Sequence, residues 1–188
     1  AAGGVATLPT LWPAALAPAD LTGAFAALDA DEIVVKPVIG AGAERTHRLT
    51  PAAAAAGGAA IAADYAAAGL SAMIQPYAPA IAQEGETSLF LFGGAFSHAI
   101  LKTPKPGDFR VQEEWGGVLK AVTPDPELLA AAGRLGALCP APPFTLRADY
   151  VRWAGGWALM ELEAIEPSLY FNLDPDAAGR FADALERI

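Results

Sequence analysis

Hydrophobic and polar positions repeat along the first part of the chain in patterns that predict helices and one strand. The segment PADLTGAFAALDA at 18–30 has helical spacing, with Asp20 or Thr22 as candidate caps. The β-branched run in DEIVVKPVIG at 31–40 is typical of a buried strand that leads into a loop. The alanine-rich stretch that follows predicts a helix with Pro51 in its first turn, where proline is tolerated.

The later part of the chain has the alternation of antiparallel strands. SAMIQPYAP reads as a strand, TSLFLFGGAFSHAILKTP as a hairpin that turns at Gly93-Gly94, and FTLRADYVRWAGGWALMELEAIEP as a hairpin that turns at Gly155-Gly156. PELLAAAGRLGALC and DAAGRFADALERI have helical spacing. Helices and hairpins in this order predict an α+β fold and not a doubly wound one.

A change of pattern near Gln75-Pro76 suggests two lobes. The alanine-rich helix gives way there to hairpins. We therefore expect a small lobe over residues 1–74, with the glycine loop, and a larger lobe over 75–188, with an antiparallel sheet and a cleft between the two.

Composition and charge narrow the range of partners. The 188 residues are 54% hydrophobic, and the net charge of -9 with only 12 Lys+Arg argues against nucleic acid. The longest apolar segment is mostly alanine and contains Asp64, so it is a poor membrane span. Cys139 is the single cysteine, which excludes an intramolecular disulfide and fits a reducing, cytoplasmic location.

The segment LMELEAIEP places carboxylates on one face of a predicted strand. Glu161 and Glu163 are two residues apart, so they point the same way, and two like charges that close require a cation. Asp149 lies on the predicted partner strand, where it adds a third oxygen ligand. The pattern favours a divalent metal site, and the alternative is an exposed sheet face with scattered acids.

Cationic residues occur where phosphate contacts are plausible. Lys36 ends a strand in VVKP, which suits a phosphate contact, although a surface lysine at a strand end is the alternative. The adjoining GAGAERTHRL offers backbone N–H groups together with Arg45, Thr46 and Arg48, which suits a lid over phosphates. A further cluster lies in LKTPKPGDFRVQEEWGG and comprises Lys102, Lys105 and Arg110, with a solvated loop as the alternative.

Six of these segments, in this order, resemble the ATP-grasp superfamily. They are VVKP, the glycine loop that follows it, IQPYAPAIAQEGETSLFLFGGAFSHAILKTP, GDFRVQEEWGG, LRADYV and ELEAIEP. The sequence is most similar to bacterial glutathione synthetase-like proteins and to the cyclo-ligases that form D-cycloserine. The resemblance covers almost the whole chain.

The resemblance implies an ATP-grasp fold, with ATP bound between two α+β lobes, and a ligase activity. Mg²⁺, with Mn²⁺ as a second candidate, assists transfer of the γ-phosphate to a carboxylate, and an amine then attacks the acyl phosphate. The implied substrates are amino-acid-like or peptide-like small molecules, with ring closure as a variant. A homo-oligomer is compatible with the resemblance, and an ATP-binding module without ligase activity is the alternative.

The resemblance also implies a role for each matching residue. Nucleotide contacts would come from Lys36 on the α- and β-phosphates, from Gly40, Gly42 and Thr46 in the mobile cover, from Gln75, Pro76 and Tyr77 in the adenine hinge, and from Glu86 on the ribose. Lys102 would contact the γ-phosphate and Arg110 the acyl-phosphate end. Asp149, Glu161 and Glu163 would hold the metal.

The opening segment GVATLPT is similar to the part that leads, in the family, from an N-terminal α/β domain into the ATP-binding lobes. The resemblance therefore implies a preceding domain of about 100 residues. Because that domain usually helps to bind the acceptor substrate, we expect this chain alone to bind ATP weakly and to catalyse nothing.

Overall fold

The computed structural model describes residues 4–135, 138–139 and 143–187. The chain forms two compact units, one over Leu8–Tyr77 and one that joins the described residues up to Thr7 with Ala78 onward. These bounds differ from the expected 1–74 and 75–188 because Leu159 N donates to Ala6 O at 2.8 Å, while Tyr77 N donates to Glu32 O at 2.9 Å. The assignment of functional lobes stays a prediction.

The first unit is a three-stranded antiparallel sheet with two helices. Its strands pair in the order β2-β1-β3, and the aromatic ring of Tyr65 is buried with Leu21 and Ile33 in the core between sheet and helices. The elements are α1 (Pro18–Leu28), β1 (Ile33–Pro37), β2 (His47–Leu49), α2 (Pro51–Ala67) and β3 (Ala72–Pro76).

The helix starts test the predicted caps. Asp20 Oδ2 accepts a hydrogen bond from Ala17 N at 2.8 Å, so this carboxylate satisfies a backbone donor at the start of α1. Thr22 is not a cap, because its hydroxyl lies within α1 and donates to Ala19 O at 3.2 Å. In α2, Thr50 Oγ1 accepts from Ala53 N at 3.3 Å, and proline occupies the first turn as predicted.

The second unit is built on a five-stranded antiparallel sheet. Its strands pair in the order β6-β5-β4-β7-β8. The elements are α3 (Ala80–Gln83), β4 (Glu86–Phe92), β5 (Ala95–Thr103), β6 (Val118–Val122), α4 (Pro126–Gly133), β7 (Thr145–Trp153), β8 (Gly156–Glu163) and α5 (Ala177–Leu185). The α+β fold class is confirmed.

Both predicted hairpins are present, and one turn lies one residue earlier than expected. Gly93 and Gly94 have φ of 55° and 80°, the pair of positive values that a two-residue turn of the I′ type requires. The second turn uses Ala154 at φ 49° and Gly155 at φ 82°, because Gly156 already pairs within β8. The prediction of Gly155-Gly156 was wrong by that one residue.

Three short elements were not predicted. The β2 strand lies inside the segment that the sequence assigns to the glycine loop, and its three residues pair with β1. The α3 helix and the β6 strand were also missed. The helix predicted over 126–139 ends as α4 at Gly133, and residues 136 and 137 of that prediction lie outside the described residues.

The two faces of the five-stranded sheet differ in chemistry. One face packs Leu89, Ala148 and Tyr150 against Leu128 of α4 in an apolar core. Side chains alternate between faces along each strand, so the neighbouring positions point the other way. That second face carries the charged residues described below. Within the described ranges, no helix combines the length and apolar character needed to cross a bilayer.

Candidate functional site

Strand register places the charged residues of the second unit in rows across its sheet. Glu86 on β4 pairs with Lys102 on β5, which forms one row. Asp149 on β7 pairs with Glu161 on β8, and two residues along, Arg147 pairs with Glu163. Because the sequence separation within each strand is two, these side chains share one face. The predicted proximity of Asp149 to the glutamates is therefore present, with Glu161 as its direct partner.

Lys102 is buried at the centre of this face. Its Nζ donates to Glu86 Oε1 at 3.2 Å and to Asp149 Oδ2 at 3.0 Å, and the residue is 4% exposed. Burial alone would lower the pKa of Lys102, but the two carboxylates hold that pKa above its ordinary value. The lysine is therefore charged in the folded protein.

Arg147 joins the carboxylates of β7 and β8, and the sequence analysis did not single it out. Its Nε lies 3.1 Å from Asp149 Oδ1 and its Nη2 lies 2.9 Å from Asp149 Oδ2. The same Nη2 donates to Glu163 Oε1 and lies 3.6 Å from Glu161 Oε2. The signal was present in LRADYV, because a residue two positions before Asp149 must share its face.

The carboxylates of this face differ in exposure and in proton affinity. Asp149 is fully buried, whereas the side chains of Glu161 and Glu163 are 46% and 30% exposed. Burial would raise the pKa of Asp149, but Lys102 and Arg147 outweigh it and hold that pKa below its ordinary value. For Glu163, and for Glu86 beside Lys102, burial prevails and the pKa is raised.

The cation that balances the acidic strand in this structure is a guanidinium group. Asp149, Glu161 and Glu163 all approach Arg147, and among the described residues no three acidic, histidine or cysteine side chains gather their donor atoms as a metal site does. The donor chemistry still fits Mg²⁺, since carboxylate oxygens are its protein ligands and Glu161 and Glu163 are partly exposed. The metal assignment stays a prediction.

The predicted adenine hinge lies in the first unit. Gln75 is 5% exposed and its Nε2 donates to Thr10 Oγ1 at 3.0 Å, whereas its Oε1 has no hydrogen-bond partner within the described part of the chain. Pro76 ends β3, and the ring of Tyr77 lies 3.6 Å from the Arg48 guanidinium carbon. The hinge residues are thus held in a fixed arrangement.

Arg48 takes part in this arrangement through an ion pair with Glu32. Its Nη2 lies 2.5 Å from Glu32 Oε2 and its Nε lies 3.1 Å from Glu32 Oε1. A two-pronged ion pair of this kind fixes the guanidinium plane above the Tyr77 ring. Lys36, which pairs with Met73 across β1 and β3, is half-buried at the end of the same sheet.

The glycine loop is exposed at its glycines and tied down at its far end. Gly40 and Gly42 are exposed, and Thr46 N donates to Ala43 O at 3.2 Å. Tyr65 Oη donates to Arg45 O at 2.7 Å, which attaches the end of the loop to α2. The loop's role as a mobile cover stays a prediction.

Arg110 lies in a local arrangement of its own. Its Nε and Nη2 donate to Asp108 Oδ1 at 3.0 Å and Oδ2 at 2.8 Å, and its guanidinium carbon lies 3.5 Å from the centre of the Trp115 ring. The arginine holds the pKa of Asp108 well below its usual range. In the described contacts, Arg110 pairs with Asp108, whereas Lys102 pairs with Glu86 and Asp149. The catalytic role of Arg110 stays a prediction.

Comparisons with known proteins decide the family. The chain is 34% identical over 168 residues to the cycloserine biosynthesis protein DcsG of Streptomyces lavendulae. The crystal structure of D-cycloserine synthetase DcsG superposes with a TM-score of 0.86 at 32% identity, over 99% of this chain and 66% of that one. The ATP-grasp ligase PsnB, in a complex with a precursor variant, Mg and ADP, has the same fold, with a TM-score of 0.69 at 20% identity over 98% of this chain and 54% of that one.

This chain belongs to the ATP-grasp superfamily. No family model matches it. The match to the DcsG protein of Streptomyces lavendulae spans 84% of this chain and 55% of the length of that relative. A D-alanine–D-alanine ligase from Bacillus anthracis shares the fold at 16% identity, with a TM-score of 0.63 over 97% of this chain and 60% of that one.

Proposed function

We propose that this chain is the nucleotide-binding part of an ATP- and Mg²⁺-dependent carboxylate ligase. The ligase would form an acyl phosphate and then an amide-type bond on an amino-acid-like or peptide-like small molecule. The observation that carries the proposal is the network in which Lys102 and Arg147 are held between carboxylates on one sheet face. Similarity to DcsG supports the reaction class and favours ring closure as a specific variant.

The residues divide the work by charge. Asp149, Glu161 and Glu163 would hold Mg²⁺, which supplies positive charge to the phosphate oxygens during transfer. Lys102 is a charged, buried donor already fixed by Glu86, so it would bind a terminal phosphoryl oxygen with little loss of side-chain freedom. Arg147 would exchange its contacts with the glutamates for contacts with an anionic ligand.

The residues of the first unit would bind the rest of the nucleotide. Lys36 would contact the α- and β-phosphates under the glycine loop, and backbone groups of Gln75 and Tyr77 would bind the adenine edge. The ordering of Tyr77 under Arg48 supports a hinge that is formed before the ligand arrives. Arg110 is proposed to act at the acyl-phosphate end only after it separates from Asp108.

Electrostatics and positioning would provide the catalysis. A substrate carboxylate is already a nucleophile, so formation of the acyl phosphate requires no general base. The fixed cations of Lys102 and Arg147 would stabilise charge on the transferred phosphoryl oxygens.

An ATP-binding module without ligase activity is the second candidate. The observation that favours it is the pairing of Arg110 with Asp108 through two side-chain hydrogen bonds, which engages the guanidinium that would act at the acyl-phosphate end. Such a module would bind Mg·ATP but would not turn over.

The decisive experiment has two stages. First, the melting temperature of this chain is measured with Mg·ATP and Mg·ADP, because a ligand that binds the native state at 100 times its Kd adds about 2.7 kcal/mol of stability. Second, ADP release by the longest available form of the protein is followed against amino acids and dipeptides. Acceptor-dependent ADP release supports the ligase, binding without release supports the module, and no binding contradicts both.

A further inference from the structure

His98 is a buried histidine on the charged face of the sheet that the proposed function leaves unused. It is 4% exposed, and its ring stacks on Phe90 with 4.3 Å between centres and 4° between planes. Nδ1 lies 2.9 Å from Ser97 Oγ and Nε2 lies 2.9 Å from Leu169 O. Both ring nitrogens are therefore engaged.

The hydrogen bonds around His98 have a fixed direction. The Leu169 carbonyl can only accept, so Nε2 carries the proton and Nδ1 accepts from the Ser97 hydroxyl. Ser97 Oγ in turn accepts from Arg180 Nε at 3.1 Å. Arg180 is held by Asp174, with Nη2 2.7 Å from Oδ2. The chain of donors runs from α5 to the segment that follows β8.

The residue that this chain of hydrogen bonds places is Tyr170. It directly follows Leu169, has a left-handed backbone with φ 48°, and sets its ring edge-on to Phe90 at 6.2 Å between centres. A non-glycine residue keeps that backbone conformation only where its surroundings enforce it. His98 contacts both groups that hold Tyr170 in place. It donates to the carbonyl of Leu169, the preceding residue, and it stacks on Phe90, against which the Tyr170 ring packs.

Phe90 connects this arrangement to the cations of the site. It pairs with His98 on β5 and with Arg147 on β7, so the row runs from His98 through Phe90 to Arg147. Tyr170, seated on Phe90, is therefore next to the charged network. Burial raises the pKa of Tyr170, Lys102 and Arg147 act to lower it, and Glu113 and Asp149 act to raise it, which agrees with the position of Tyr170 beside Phe90.

We propose that Tyr170 is a ligand-binding residue whose hydroxyl donates a hydrogen bond to a terminal phosphoryl oxygen held by Lys102 and Arg147, and that His98 is the positioning residue for it. This inference rests on the proposed function. A neutral phenol is a donor and adds no charge, so it suits an oxygen that already lies between two cations. A contact to the terminal phosphoryl group distinguishes ATP from ADP.

The test measures the affinity of this chain for Mg·ATP and for Mg·ADP by calorimetry in four variants. Tyr170→Phe keeps the ring on Phe90 and removes the hydroxyl, and His98→Gln interrupts the donor chain. We expect each to weaken Mg·ATP about tenfold, as for a hydrogen bond to a charged group, and to change Mg·ADP less than twofold. The double variant should lose no more than Tyr170→Phe alone, because both act through one contact.

Tyr150→Phe is the matched control. It removes a buried phenol hydroxyl from β7 on the opposite, apolar face of the same sheet, so nucleotide affinity should not change. If Tyr170→Phe leaves Mg·ATP affinity unchanged, or weakens Mg·ADP equally, the inference is wrong. The Tyr170→Phe result tests the role of the Tyr170 hydroxyl even if the His98→Gln variant does not fold.

Failure of the proposed function gives a different result. If the unaltered chain binds neither nucleotide, the proposed function fails and the inference fails with it. If Glu161→Gln abolishes Mg·ATP binding while Tyr170→Phe does not weaken it, only the role of Tyr170 is refuted.

Discussion

Lys102 on β5 reaches across β4 to Asp149 on β7, and the two charged atoms lie 3.0 Å apart in a buried ion pair. Both partners are almost completely removed from water, with side chains 5% and 1% exposed. Removal of either member leaves the other buried without its close partner, with Arg147 left beside Asp149 or Glu86 left beside Lys102.

Removal of Lys102 should therefore destabilise the second unit. We expect Lys102→Met to lower the free energy of unfolding by about 3 to 5 kcal/mol, measured by urea denaturation. The double variant Lys102→Met/Asp149→Leu should recover part of that loss, since it also removes the buried Asp149 carboxylate that the single variant leaves without Lys102. A double variant as unstable as the sum of the single ones would contradict the assignment of a coupled pair.

Replacement of Arg147 should increase the response to Mg²⁺ alone. Arg147 pairs with Glu163 and lies near Glu161, so Arg147→Met removes a positive charge from beside both glutamates. We expect the variant to melt at a lower temperature without metal and to gain more from Mg²⁺ than the unaltered chain. Arg152→Met, which removes an arginine paired with Asp125, is the control and should not change the Mg²⁺ response.

A substitution of Glu161 should affect metal binding without a large effect on the free energy of unfolding. Its side chain is 46% exposed, so Glu161→Gln should change the free energy of unfolding by no more than about 0.5 kcal/mol. Under the proposed function, the same change should abolish Mg·ATP turnover by the longest available form of the protein and reduce the melting-temperature gain from Mg·ATP in this chain. Turnover equal to that of the unaltered protein would refute the metal role of Glu161.

Gly117 is required by close packing in the loop that carries Arg110. A Cβ at this position would lie 2.0 Å from Val111 O, a backbone atom that cannot move aside alone. We expect Gly117→Ala to lower the free energy of unfolding by about 1 to 3 kcal/mol, measured by thermal or urea unfolding. Gly57→Ala, in the middle of α2 with open space around it, should instead stabilise by about 0.5 to 1 kcal/mol.

His98 should make stability depend on pH near neutrality. Burial lowers the pKa of His98 from its ordinary value of 6.5, and the charge of Arg180 lowers it further. The hydrogen bond to Leu169 O and the charge of Asp174 act to raise that pKa, but burial prevails. Near the ordinary pKa, the unfolded chain then binds a proton at His98 that the folded chain does not. The contribution of His98 to the free energy of unfolding is therefore fully present above about pH 7.5 and decreases as pH falls through 6.5.

Urea unfolding at several pH values checks this dependence. His98→Gln should reduce the slope below pH 6.5 by at most about 1.4 kcal/mol per pH unit. The pKa of His47 is also lowered, chiefly by burial, but His47 is the same in both proteins and cancels in the difference. Identical slopes in the two proteins would mean that His98 does not titrate differently on unfolding.

The amino-acid sequence determined the elements and much of the chemistry of the site. Alternation and turn residues predicted both hairpins, and the spacing of two residues put Glu161 and Glu163 on one face because a strand allows no other arrangement. The order of the motifs predicted the superfamily. Short elements such as β2 were missed because three residues carry too little pattern to be distinguished from a loop.

Tertiary structure decided which charges meet. The register between β7 and β8 brought Arg147 beside Asp149 and Glu163, and strand order brought Lys102 to Asp149 across β4. Pairing between strands depends on contacts far apart in the chain, so local pattern cannot specify it. The same physical reason separates Arg110, which is close to Lys102 in sequence, from the network in which Lys102 takes part.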